Sequence, residues 1–182
     1  GADGLILVCA GAGGHAGTLS PFALVREVRE FFDGPIALSG SISEGSSVLS
    51  ALALGADFAY VGTKFIATEE ANASPGYKQM IIDSTADDIM YSATFTGVNG
   101  NYLRPSVEAA GLNPEEHTSG SKDDMNFSTS AIAKKDNSSK AWKDIWGSGQ
   151  GIGSIKDAPS VQTAVDQMVS EYEEAKSRLD NF

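Results

Sequence analysis

Within the first 68 residues an apolar strand run, a glycine-bearing loop and a capped helix follow one another repeatedly. That order restricts the chain to folds in which parallel strands alternate with crossover helices. Leu5 to Val8, Pro35 to Leu38 and Phe58 to Val61 are nearly continuous apolar runs, the pattern of strands covered on both faces of a parallel sheet. An antiparallel meander, which would alternate polar and apolar residues, is disfavoured. Ser20 can cap a helix with Pro21 at its first position, and Phe22, Leu24, Val25, Val28 and Phe32 then recur near helical spacing before Gly34. Ser43 or Ser46 can cap a second helix that buries Val48, Leu49, Leu52 and Leu54 and stops at Gly55. Gly1-Ala2-Asp3 recurs as Gly55-Ala56-Asp57, each ahead of a strand. One helix-to-strand turn is thus used twice, and its first copy is expected to close a helix upstream of Gly1.

Beyond Thr63 the pattern changes. Helices are expected around Gly76 to Ile82 and near Ser106 to Ala110. From Ser160 to Leu179, Val161, Ala164, Val165, Met168, Val169, Tyr172 and Ala175 form one apolar face opposite charged residues, which predicts an amphipathic helix packed outside the sheet. The chain divides into βα units at 1–72, a helical extension at 73–111, a polar excursion at 112–140, and a return loop with the last helix at 141–182.

Composition excludes several roles. Against 24 acidic residues stand 13 Lys and Arg, a formal charge of −11, the wrong sign for tracking nucleic-acid phosphates or lying on an anionic membrane. No apolar run approaches the roughly 20 residues of a membrane span. A lone Cys9 cannot form an internal disulfide, so a reducing, cytoplasmic setting is expected. At 182 residues two complete large domains do not fit.

Each strand ends in a loop where parallel α/β folds place their ligands. The first loop, Cys9 to Gly17, consists of small residues interrupted only by His15, whose imidazole can hold or take a proton; a solvated loop histidine is the alternative. Gly11-x-Gly13-x-x-Ala16 formally matches a dinucleotide fingerprint, but the helix signals fall later, at Ser20-Pro21, and Ser39 stands where the fingerprint needs an acid. The loops Ser39-Gly40-Ser41 and Gly62-Thr63 combine backbone N–H groups with hydroxyls and on successive strands can wrap a phosphate; ordinary tight turns are the alternative. Glu115, Glu116 and His117 lie in a polar loop and lack metal-site spacing, so no metal is expected. Trp142 and Trp146 read as a packing pair, and Cys9 as a small buried residue.

Taken in order, Gly13-Gly14-His15-Ala16-Gly17, Ala37-Leu38-Ser39-Gly40-Ser41-Ile42 and Gly55-Ala56-Asp57 through Val61-Gly62-Thr63 resemble the nitronate monooxygenases, formerly 2-nitropropane dioxygenases. The likeness continues through Phe95-Thr96-Gly97-Val98, Asn101, Arg104-Pro105, Ile145-Trp146 and Gly149 to Gly153. It implies the last three βα units of an FMN-dependent TIM (β/α)8 barrel with a helical C-terminal extension. His15 would act toward substrate as base or hydrogen-bond partner. Gly13 and Gly14 would lie near the flavin ring, and Ser39, Gly40, Ser41, Gly62 and Thr63 would hold the FMN phosphate. The implied reaction is oxidation of alkyl nitronates by O2 to a carbonyl compound and nitrite. An NAD(P)H-dependent FMN reductase of quinones or enoyl thioesters shares the motifs, and a non-catalytic phosphate or nucleotide-binding module is the reading from another class. The partners expected are a nitronate or nitroalkane, O2 and an N-terminal barrel half, with no nucleic acid or membrane; a homo-oligomer is compatible with all of this. The sequence departs from many relatives at Ser39-Gly40, where they carry two glycines, and at Gly11-Ala12, where they carry Glu-Ala.

Overall fold

The computed structural model describes residues 1–117 and 144–181. The expected βα repeat is present. Strand β1 (Leu5–Val8), helix α1 (Pro21–Arg29), β3 (Ile36–Ser39), helix α2 (Gly45–Ala53) and β4 (Phe58–Tyr60) build a parallel sheet in the order β1-β3-β4. Its register pairs Leu7 with Leu38 and Leu38 with Ala59. That face, with Ile36, packs on Val25 and Val28 of α1 and Ala51 of α2 to form the main core. Ser20 caps α1 through the Ala23 N–H, as its position before Pro21 predicts.

Helix α2 is capped differently from the expectation. Its N-cap is Glu44, in a reciprocal capping box with Ser47. Ser43 is occupied elsewhere, donating to the Gly151 carbonyl, and Ser46 donates to the Glu44 carboxylate. The repeated Gly-Ala-Asp turn also gains a physical account. Asp57 Oδ2 accepts from the Ile36 N–H at 2.8 Å and from Arg29 at 2.7 Å, while Arg29 also donates to the carbonyls of Gly34 and Gly55. One guanidinium therefore joins the ends of both crossover helices to the start of the sheet.

The opposite sheet face corrects the idea that these strands are covered on both sides within this chain. Ile6 is 59% exposed, Val8 40%, Phe58 60% and Tyr60 53%. Four neighbouring apolar side chains on one face of β1 and β4 meet no described residue that buries them.

A short helix, α3 (Thr63–Ile66), follows β4, and α4 (Pro75–Asp83) is capped by Ser74. Residues 89–103, which lie in the expected helical extension, instead form strands β5 (Ile89–Ser92) and β6 (Gly100–Leu103). With β2 (Gly14–His15) they make a second, antiparallel sheet in the order β2-β6-β5. Helix α5 (Arg104–Ala109) and a 3₁₀ turn at Pro114–His117 follow. Most of the 112–140 excursion, and Trp142 of the expected packing pair, lie outside the described residues; Trp146 stacks on Tyr77, ring centroids 4.9 Å apart.

The last helix, α6 (Val161–Leu179), lies across α2. The approach depends on Gly45: a Cβ there would sit 2.0 Å from the Met168 carbonyl oxygen and 2.2 Å from the Tyr172 nitrogen. Glu171 reaches back to accept from the Gly45 N–H at 2.8 Å, an anion on the positive end of α2. Only part of the expected apolar face is buried. Ala164 and Ala175 are covered, whereas Val161, Val165 and Val169 are exposed, the last two beside Phe58 and Val61. Among the described residues no helix is long and apolar enough to cross a membrane.

Candidate active site

The loops after β1, β3 and β4 converge because parallel strands deliver their carboxyl ends to one side of a sheet. They are knotted through main chain. The Gly11 carbonyl accepts from both Ser41 N–H and Gln150 N–H, and Gly149 N–H donates to Thr63 Oγ1 at 3.0 Å. The return segment Gly147 to Gly151 is thereby sewn onto all three loops. Small residues are required at these crossings: a Cβ on Gly13 would lie 2.8 Å from Gly149 N, and one on Gly40 2.3 Å from Cys9 Sγ. Gly40 has φ +140°, and Ser41 stands in the left-handed region at φ 56°, a conformation that costs a non-glycine residue about 1 kcal/mol or more and is held here by its neighbours.

Between the loops lies a cleft of about 310 Å³ lined by Gly13, Gly14, Ser39, Gly40, Ser41, Gly62 and Thr63. All the residues expected from sequence to face a cofactor are thus brought together. Tyr60, Tyr77 and the glycines at 147, 149 and 151 also line it. The sequence marks these glycines only as part of a return loop, and it does not single out Tyr77. The Tyr77 hydroxyl donates to the Gly147 carbonyl, and burial pushes its pKa up to about 12, so it stays a neutral donor at physiological pH.

No Lys, Arg, His, Asp or Glu lines the cleft among the described residues. An anion held there would rest on hydroxyls and on main-chain N–H groups, among them those of Thr63 and Lys64, which open α3 and have no acceptor within that helix. Open space lies above Gly14 and Gly62, where a Cβ would meet no atom within 4 Å. A cradle of this kind, narrow, uncharged and rich in N–H donors, fits a phosphate attached to a flat ring system.

His15 stands at the rim instead of in the wall. It is exposed, and its Nε2 lies 3.1 Å from Thr96 Oγ1. Gly14 and His15 pair with Asn101 and Gly100 of β6, so two residues of the small-residue loop form a strand. On either side Asn101 Nδ2 donates to the Ala12 carbonyl at 2.7 Å and the Tyr91 hydroxyl donates to the Ala16 carbonyl at 2.9 Å. Helix α1 begins only at Pro21, so Gly11 and Gly13 do not open a helix as a dinucleotide fingerprint would require.

Two of the other candidates are held in local contacts. Cys9 is fully buried and donates to the Ala10 carbonyl, and burial raises its pKa. Glu115 pairs with Arg104 at 2.6 Å, and no cluster of metal-ligating side chains occurs among the described residues.

The nitronate monooxygenase family model matches residues 1–171. The chain belongs to that family. A nitronate monooxygenase from Paraburkholderia phytofirmans is 30% identical over 123 residues, covering 63% of this chain and 34% of the relative. A Staphylococcus aureus protein named as a probable nitronate monooxygenase is 27% identical over 130 residues, covering 63% of this chain and 37% of its own length. The chain thus matches about a third of these family members' lengths. Among solved structures, a nitroalkane oxidase from Streptomyces ansochromogenes superposes with TM-score 0.73 at 26% identity, covering 98% of this chain and 54% of that one. FabK from Thermotoga maritima superposes with TM-score 0.76 at 23% identity over 100% of this chain and 58% of its own. These neighbours place the chain's mixed α/β architecture among TIM-barrel proteins of this family.

Proposed function

We propose that the chain supplies the phosphate-binding and base-bearing part of an FMN-dependent enzyme that oxidises alkyl nitronates with O2 to a carbonyl compound and nitrite. The observation that carries this reading is the uncharged, N–H-rich cleft at the ends of β1, β3 and β4 with His15 at its rim. In this reading Ser39 to Ser41 and Gly62 to Thr63 hold the FMN phosphate, and Gly13 and Gly14 admit the ring close to main chain. The flavin supplies the redox chemistry when bound. His15 holds or takes the proton on the substrate carbon next to the nitro group, and Tyr77, its hydroxyl bound to the Gly147 carbonyl, closes the cleft as a neutral wall. The exposed face of Ile6, Val8, Phe58 and Tyr60 is the inner wall of an eight-stranded barrel whose other strands belong to further βα units of the same enzyme.

The test uses oxygen uptake with His15→Asn. A neutral nitroalkane must lose a proton, so its turnover should fall by on the order of 10² to 10⁴, the contribution of a positioned general base. A preformed nitronate has already lost it and should be affected far less. Equal losses would make His15 a binding group, and no loss would return it to solvent. A FabK-like reductase would declare itself by rapid anaerobic bleaching of the flavin with NADH or NADPH and by indifference to nitronates.

A further inference from the structure

We propose that Thr96 is a positioning residue for His15: it accepts a hydrogen bond from the Nε2–H, so that the neutral imidazole keeps its proton on Nε2 and offers Nδ1 as the basic nitrogen. This deepens the reading of His15 as the base and rests on it for its catalytic meaning. Thr96 Oγ1 lies 3.1 Å from His15 Nε2, 3.1 Å from the Val98 carbonyl oxygen, 3.2 Å from the Tyr102 hydroxyl and 3.4 Å from the Val98 nitrogen. A hydroxyl has one proton and two lone pairs, and a carbonyl only accepts. If the Thr96 proton pointed to His15, two oxygens would face each other at 3.1 Å with no proton between them. Directed to Val98, that proton makes the contact a hydrogen bond, and Thr96 then has only lone pairs left for the imidazole. The Tyr102 hydroxyl and the more distant Val98 N–H then share the other lone pair.

The pair is held as a unit. His15 lies opposite Gly100 in the antiparallel sheet, and Thr96 sits on the turn joining β5 to β6. That turn is pinned by buried Phe95, edge-on to Tyr102 with ring centroids 5.0 Å apart, and by the Gly97 N–H bonded to the Ala93 carbonyl at 2.8 Å. Among the described residues Nδ1 has no hydrogen-bond partner, which leaves it available to a substrate proton.

The test reads the imidazole directly, by nitrogen-15 NMR of the histidine-labelled flavoprotein above the titration range of the ring. The two histidines of the chain are distinguished with His117→Gln. We expect Nε2 of His15 to carry the proton in the wild type. In Thr96→Val the Nε2–H should exchange faster with water and its population should fall toward that of free imidazole, while Thr96→Ser retains the wild-type signal. Retained flavin and unfolding temperature show that the variants fold. A protonated Nδ1 in the wild type, or an Nε2–H unchanged in Thr96→Val, would overturn the proposal. Turnover of a neutral nitroalkane should drop about 10-fold in Thr96→Val, the scale on which outer hydrogen-bond partners act, and recover in Thr96→Ser. A lost Nε2–H signal with turnover unchanged in both Thr96→Val and His15→Asn supports the geometry and removes the base reading alone.

Discussion

The side-chain amide of Asn101 donates to the carbonyl of Ala12 at 2.7 Å, across 89 residues of sequence. Both residues are buried, so the bond has no water to replace it, and it fastens the glycine loop that carries His15 to the second sheet. Asn101→Ala leaves a buried carbonyl without its donor and should cost about 1 to 3 kcal/mol. Asn101→Asp, which presents an acceptor to an acceptor, should cost at least as much. Chemical denaturation checks both, and wild-type stability in either variant would contradict the role.

The contact of α6 with α2 makes Gly45 intolerant of a side chain. Because a Cβ would lie 2.0 Å from the Met168 carbonyl, Gly45→Ala should destabilise by about 1 to 3 kcal/mol through overpacking. Its signature is faster amide exchange across Val161 to Leu179 than across β1 and β3. Uniform acceleration over the whole chain would mean that α6 is not a separately attached element.

Asp57 sets an acid limit. Its pKa is lowered first by the Ile36 N–H it accepts and then by the Arg29 side chain. A carboxylate depressed in the folded state contributes stability that is present above its ordinary unfolded value, near 4, and is lost as pH falls through the lower folded value. Thermal unfolding of Asp57→Asn should therefore differ most from wild type at neutral pH and converge with it in acid. A gap that stays constant from neutral pH into acid would contradict the linkage.

Most of the parallel sheet was legible because β1, β3 and β4 carry apolar runs and their helices carry caps. Ser20-Pro21 marks a helix start by chemistry that needs no tertiary partner. The second sheet was not legible. Gly100-Asn101-Tyr102-Leu103 shows no alternation, since all four residues are buried, and β2 is a pair of residues that becomes a strand only by meeting β6. Glu44 displaced the expected serine caps of α2 because Ser43 bonds a residue 108 positions away, a contact no local pattern encodes. The cleft residues were legible from the strand-end loops, whereas Tyr77 reaches the cleft, and Thr96 reaches His15, only through the fold.

In the proposed phosphate site, Gly40 would couple the fold to the cofactor. Gly40→Ala places a Cβ 2.3 Å from Cys9 Sγ, so it should push the Ser39–Ser41 loop and lower flavin content. Removing the sulfur in Cys9→Ala/Gly40→Ala relieves that clash and should restore part of the flavin, leaving the strain of the backbone at φ +140°. Flavin absorbance per polypeptide measures the outcome. An unaffected single variant would place the phosphate elsewhere.

The central claim is that neutral main-chain and hydroxyl donors around Gly40 and Gly62 grip a phosphate. The measurement closest to it is titration of the flavin-stripped enzyme with FMN and with riboflavin, followed by quenching of flavin fluorescence. Hydrogen bonds to a charged group contribute about 1.5 to 3 kcal/mol each, so losing the phosphate should weaken binding on the order of 100-fold or more. FMN bound at least that much more tightly than riboflavin is the predicted result; equal affinities for the two would contradict it.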